Sequence, residues 1–168
     1  MDCFLLSGEV VDDRVRRETM ATVAVSNEIA APLERVFQVF TDLAHGPAHV
    51  SGIKKLEMLT PGSIRVGTRW RETREIMGRR DTVEMEITAF ERNRMYTITH
   101  HKAGVRIDTT FWFESSPSHD RTKVAVEFDL DSAGLPESLL APLGWAIAGK
   151  VESVLNHDLA DLERSIAK

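Results

Sequence analysis

Between residues 53 and 131, six strand-like runs follow one another with no room for a crossover between them. Their limits are 53–60, 67–77, 81–90, 94–101, 105–114 and 121–131. Strong turn chemistry separates them: Pro61-Gly62, Gly78, Arg92-Asn93, Ala103-Gly104 and Ser115-Ser116-Pro117-Ser118. Parallel neighbours need a crossover of a dozen or more residues, so connections this short make consecutive runs antiparallel. One more run, 22–29, alternates with period two ahead of them. The chain closes with a helical stretch from about 136 to 167, along which Leu140, Leu143, Ile147, Val151, Val154, Leu155, Leu159, Leu162 and Ile166 mark one apolar stripe. A seven-stranded sheet with one apolar face needs a cover. At ~1.5 Å per residue, only this last stretch is long enough to supply it.

The remaining segment lies between the first two strands. Pro32 sits where a first helical turn accepts it, and Leu33, Val36, Phe37 and Phe40 recur at helical spacing up to about Asp42. A loop is expected from His45 to Gly52. The sequence therefore predicts an α+β fold: a curved seven-stranded antiparallel sheet, a long C-terminal helix across it, and one or two short helices between strands 1 and 2. Residues 1–19 share none of this periodicity and are read as an appended N-terminal arm, of a composition compatible with disorder. Residues 20–168 are read as a single domain, within the ~100–200 residues one core commonly spans.

Composition narrows the function. The 21 Lys+Arg against 26 Asp+Glu leave a formal net charge of −5, which lacks the field that phosphate backbones require, so no nucleic-acid partner is expected. The single cysteine, Cys3, excludes an internal disulfide framework and a cysteine-built zinc site. The start Met1-Asp2-Cys3-Phe4-Leu5-Leu6 is acidic and too short in apolar residues for a secretion signal. A cytoplasmic location is the expectation. No stretch approaches the ~20 apolar residues of a membrane span.

Pleat alternation assigns the faces. Val124, Val126, Phe128 and Leu130 share one face, as do Val105, Ile107, Thr109, Phe111 and Phe113, and Val83, Met85 and Ile87. Two runs mix chemistry. Trp70 and Ile76 share a face with Glu72 and Arg74, and Tyr96 and Ile98 share one with His100. If the aromatics point inward, so do the ionisable groups, and buried charge is costly unless paired or wetted. A sheet that leaves a cavity beneath the helix accommodates them as ligand-orienting groups. A sheet edge that twists open, leaving Glu72 and Arg74 as a solvated pair, accommodates them equally. In the helix, Leu139–Ala148 is apolar all round, which fits core packing, a cavity lid or a partner surface.

No dinucleotide fingerprint, Walker loop, nucleophile elbow or zinc-protease motif is present. His45 and His49 have the four-residue spacing of a metal pair, but Gly46 and Pro47 argue against a regular helix there, and no metal or cofactor is assigned. His100 is the best candidate general acid or base, with Glu72 or Tyr96 as partner, and burial beside Trp70 is expected to raise the Glu72 carboxyl. Arg69, Arg71, Arg79 and Arg80 interleave with Glu75, Asp81, Glu84 and Glu86, the pattern of a solvated mixed-charge face.

Three segments carry a family resemblance: Ile29-Ala30-Ala31-Pro32-Leu33-Glu34-Arg35-Val36-Phe37 with Thr41-Asp42; Val66-Gly67-Thr68-Arg69-Trp70-Arg71-Glu72; and Leu155-Asn156-His157-Asp158-Leu159-Ala160-Asp161-Leu162-Glu163. In order and spacing, over roughly 22–167, the chain resembles the START-like helix-grip superfamily, within it the polyketide cyclase/dehydrase and lipid-transport (SRPBCC) group. The resemblance implies a mostly apolar cavity between sheet and final helix that takes lipids, polyketides or other flat hydrophobic molecules. It implies no single reaction. The loop Leu43-Ala44-His45-Gly46-Pro47-Ala48-His49 departs from relatives that carry tryptophans there.

The resulting expectation is a carrier or sensor of a hydrophobic small molecule or lipid. Trp70, Tyr96, Ile98, Thr109, Phe111, Phe128, Trp145 and Ile147 would line the cavity, with Glu72 and His100 as polar contacts. The alternatives are a cyclase or dehydratase using His100 and Glu72 as catalytic acid and base, and an interaction module docking through the apolar end of the last helix. A monomer or a homodimer fits these readings.

Overall fold

The computed structural model describes the backbone of residues 21–76, 78–131 and 137–167, and the side chains of the same residues except 21, 22 and 137–147. Seven strands form one sheet: β1 (Ala21–Ile29), β2 (Ile53–Met58), β3 (Arg69–Ile76), β4 (Arg79–Glu91), β5 (Met95–Lys102), β6 (Val105–Ser115) and β7 (Thr122–Asp131). The spatial order is β1-β7-β6-β5-β4-β3-β2, and each pairing is antiparallel. Strands 2 to 7 thus meander, as the short turns require, and β1 returns to pair with β7. The 30-residue helix α3 (Glu137–Ile166) closes the chain. Its backbone comes close to β1 and to two short helices, α1 (Leu33–Phe40) and α2 (Gly46–His49). This is the helix-grip architecture.

Segment 43–49 supplies the second of the one or two short helices expected between strands 1 and 2, and takes up the first half of the loop expected from His45 to Gly52. A 3-10 turn over Leu43–His45 runs into the single turn of α2, where Pro47 occupies a first-turn position and loses no helical hydrogen bond. Pro32 caps α1 from just outside it, in extended conformation. Four residues of α1, Val36, Phe37, Val39 and Phe40, are buried. Phe37 and Phe40, one turn apart, insert into an aromatic cluster on the inner face of the sheet. Phe37 lies 5.1 Å from Phe113 and 5.8 Å from Phe90, Phe40 lies 5.3 Å from Phe113, and Tyr96 stacks on Phe111 at 4.7 Å. Each such ring contributes on the order of 2–3 kcal/mol by burial.

A bulge in β4 explains how Phe90 reaches that cluster. Ile87 pairs with Ile98 and Ala89 with Thr97, so Thr88 is the extra residue and the pleat changes parity there. Ile87 and Phe90 both face inward, whereas uninterrupted alternation would have sent Phe90 out. The outer face is polar: Arg69 and Arg71 converge on Glu84 at 2.9 and 2.8 Å, and Arg80 pairs with Glu75 at 3.2 Å, the mixed-charge surface expected of these residues.

Candidate functional site

The inner face of β3 carries a polar chain into the core. Trp70 is fully buried and Glu72 is 4% exposed, so both point inward, and the solvated-pair alternative does not hold. Trp70 Nε1 donates to Glu72 Oε2 at 3.1 Å. Arg74 Nε donates to Glu72 Oε1 at 2.5 Å, and Arg74 Nη1 donates to Asp158 Oδ2 of α3 at 2.7 Å. Alternation on β3 brings 70, 72 and 74 to one face, and the guanidinium then reaches from sheet to helix. Burial together with the charges of Glu72 and Asp161 pushes the Asp158 carboxyl above its usual range, only partly offset by Arg74. Arg74 remains charged.

Beside this chain lies a cavity of about 80 Å³. Its apolar walls come from Phe40 and Val50 at the α1–α2 end and from Tyr96, Phe111 and Val126 on the sheet. Leu155, Leu159 and Leu162 of α3 close it, and Arg74 with Asp158 forms its polar end. The Tyr96 hydroxyl donates to the Phe40 carbonyl at 3.1 Å, tying the sheet to the end of α1. Burial, then the nearby Glu72 charge, pushes that phenol well above its ordinary range, so it stays protonated.

Of the residues expected to line a cavity, Tyr96 and Phe111 do so, and Trp70 and Glu72 lie behind its polar end. Ile98, Thr109 and Phe128 are half-buried on the inner face, where Thr109 is paired with both Ile98 and Phe128. His100 is half-buried, opposite Met85 and Ile107. Burial holds its imidazole below the ordinary histidine range, in the neutral form, against the opposing pull of Glu72. Both Glu72 oxygens are engaged by Trp70 and Arg74, and no hydrogen bond joins Glu72 to His100 among the described residues. Trp145, Ile147 and most of the apolar segment Leu139–Ala148 lie outside the described side chains.

Asp158 is not among the site residues expected from the sequence, although a signal for it exists. It lies three residues after Leu155 and four before Leu162, so it interrupts the apolar stripe it belongs to. Of the other wall residues, Phe40 has its helical spacing and Val126 its pleat face as signals, while Val50 has none beyond apolarity.

Two other clusters resemble sites without being built as such. Ser51 Oγ lies 3.0 Å from His157 Nε2 and donates to Asp161 Oδ2 at 2.7 Å, which has the composition of a nucleophilic triad. A triad needs serine and carboxylate on opposite imidazole nitrogens. Here Asp161 lies 3.6 Å from the same Nε2 that faces Ser51, and it also accepts the Ser51 backbone N–H at 2.8 Å. It anchors the loop before β2. His45 Nδ1 and His49 Nε2 converge on Asp42 at 2.8 and 3.1 Å. Burial raises the Asp42 carboxyl, but the two imidazoles outweigh it and hold the group below its usual range. Among the described residues no group of three or more His, Cys, Asp or Glu is placed to hold a metal ion, and no helix is long and apolar enough to cross a membrane.

The family model described as polyketide cyclase / dehydrase and lipid transport matches residues 20–166. Many solved structures share the fold. A START superfamily protein from Mycobacterium smegmatis is 17% identical with a TM-score of 0.70, covering 87% of this chain and 97% of its own. The Zhui aromatase/cyclase from a Streptomyces species is 17% identical with a TM-score of 0.70, covering 87% and 93%. A ginseng major latex-like protein from Panax ginseng is 15% identical with a TM-score of 0.70, covering 88% and 98%. No curated protein sequence matches significantly.

Proposed function

The chain belongs to the polyketide cyclase/dehydrase and lipid-transport family, and from that membership we propose that it binds a hydrophobic small molecule or lipid between its sheet and α3, as a cytoplasmic carrier or sensor. The observation that carries this reading is the cavity itself, with apolar walls from α1, the sheet and α3 and a polar end made by Arg74 and Asp158. That is the composition of a ligand site: apolar walls with a few convergent polar groups. Its volume of about 80 Å³ is below the ~300–1,000 Å³ of ligand pockets, so a ligand enters by parting α3 from the sheet. Native mass spectrometry of the purified protein, with organic extraction of retained material, tests it. A retained compound, or a melting temperature raised by a hydrophobic probe, is the expected result. A protein that retains nothing and responds to no probe sinks the reading.

One observation favours a second reading, a cyclase or dehydratase. His100 presents a neutral imidazole on the inner face, the state a general base needs. On that reading His100→Ala abolishes turnover of a polyketide-like substrate while the fold persists, and Glu72, which makes no hydrogen bond to His100 among the described residues, acts on it through its charge.

A further inference from the structure

We propose that the cavity selects uncharged ligands carrying a hydrogen-bond donor, such as alcohols, phenols or anilines, and rejects carboxylates and other anions. The inference rests on the ligand-binding reading and specifies the chemistry of that same site. An arginine beside an apolar cavity invites the opposite conclusion, namely an anion hole. Its contacts rule that out. The guanidinium is already bonded to two carboxylates, Glu72 through Nε and Asp158 through Nη1. With both acids ionised, two negative charges face one positive charge, and the cluster carries a net charge of −1.

Among the described residues, no Lys or Arg other than Arg74 forms an ion pair with Glu72 or Asp158. The titratable groups turned toward the cluster are Tyr96 and His100 from β5 and Asp161 from α3. Tyr96 is a neutral phenol and His100 is neutral, while Asp161 is paired with Arg164 and faces His157, so the balance at the cluster stays at −1. The charge of Glu72 opposes loss of the Tyr96 proton and favours a proton on Asp158. The potential at the cavity is therefore negative. Bringing in an anion would require first placing a proton on one of these carboxyls.

The same geometry offers an acceptor. Asp158 lines the cavity and gives Arg74 its Oδ2, while its Oδ1 accepts no hydrogen bond from the described residues. A ligand O–H or N–H directed at the Asp158 carboxylate would gain a charge-assisted hydrogen bond, whereas a ligand carboxylate would meet two like charges.

The test compares two fluorescent probes that share one ring system, uncharged N-phenylnaphthylamine and the anilinonaphthalene sulfonate anion. Wild-type protein at pH 7 is expected to bind the neutral probe more tightly, by roughly tenfold or more. Asp158→Asn removes one charge and should narrow that ratio by about tenfold, chiefly by strengthening the anion. Glu72→Gln should narrow it in the same way, and serves if the Asp158 variant fails to fold. Equal or tighter binding of the anion by wild type, or a ratio that neither variant moves, overturns the charge selection and leaves ligand binding standing. Binding of neither probe, together with nothing retained in native mass spectrometry, overturns both.

Discussion

Arg74 on β3 and Asp158 on α3 meet at 2.7 Å, and this contact joins the sheet to the helix that grips it. The same guanidinium holds Glu72 at 2.5 Å. Removing the arginine alone leaves two buried carboxylates without a counter-charge, and breaking a buried pair in this way costs about 3–5 kcal/mol. Arg74→Met is therefore expected to lower unfolding stability in urea by that amount at pH 7. Replacing all three groups with apolar residues should recover most of it, because the desolvation cost disappears with the charges. A single variant within about 1 kcal/mol of wild type would mean that the cluster is open to water.

His100 supplies a pH signature. Burial lowers its folded-state pKa below the unfolded value of 6.5, so the folded protein binds that proton less readily than the unfolded chain. The group's contribution to stability is then fully present above pH 6.5 and is lost as pH falls through the lowered folded pKa. Histidine ring NMR should show one resonance titrating below 6.5, absent from His100→Gln. The variant should also lose less stability than wild type between neutral and mildly acidic pH. A His100 resonance at or above 6.5 would place the ring in water, and the general-base reading would lose its support.

The architecture was legible because turns and periodicity are local. Arg92-Asn93 and Ala103-Gly104 dictate hairpins whatever lies across the sheet, and the long apolar stripe leaves one element to act as cover. That Glu72 and Arg74 share the direction of Trp70 followed from the pleat. Whether that face was dry or open to solvent did not follow, since the answer depends on Asp158, 84 positions further along the chain from Arg74. The bulge at Thr88 was invisible for a similar reason. It satisfies the packing of Phe90 on Phe37, a contact between α1 and β4 that no window of sequence contains.

Thr122 carries a second test of how elements are joined. It is fully buried, and its hydroxyl donates to the Ala31 carbonyl at 2.8 Å, fixing the link between β1 and α1 against the start of β7. Thr122→Val keeps the shape and removes the donor, leaving a buried carbonyl unpaired. A loss of about 1–3 kcal/mol in denaturant unfolding is expected, with an unchanged m-value. Thr122→Ser should retain the hydrogen bond and lose only the burial of one methyl group. If the valine variant is as stable as wild type, water has replaced the hydroxyl and the link is not a dry one.

The hairpin between β5 and β6 is where the sequence can be improved. Lys102 pairs with Val105, leaving Ala103 and Gly104 as a two-residue loop with φ of 52° and 81°. Positive φ at both central positions is the requirement of a type I′ turn, which favours Asn-Gly. Alanine in the left-handed region costs roughly 1 kcal/mol through its Cβ, while asparagine tolerates that region. Ala103→Asn should therefore stabilise the protein by about 0.5–1 kcal/mol, read as a rise in melting temperature. Gly104→Ala should do the reverse. Nothing lies within 4 Å of a Cβ built at Gly104, so its penalty is a pure backbone effect with no steric contact to confuse it. Shifts of the same sign in both variants would show that the loop relaxes to a different turn.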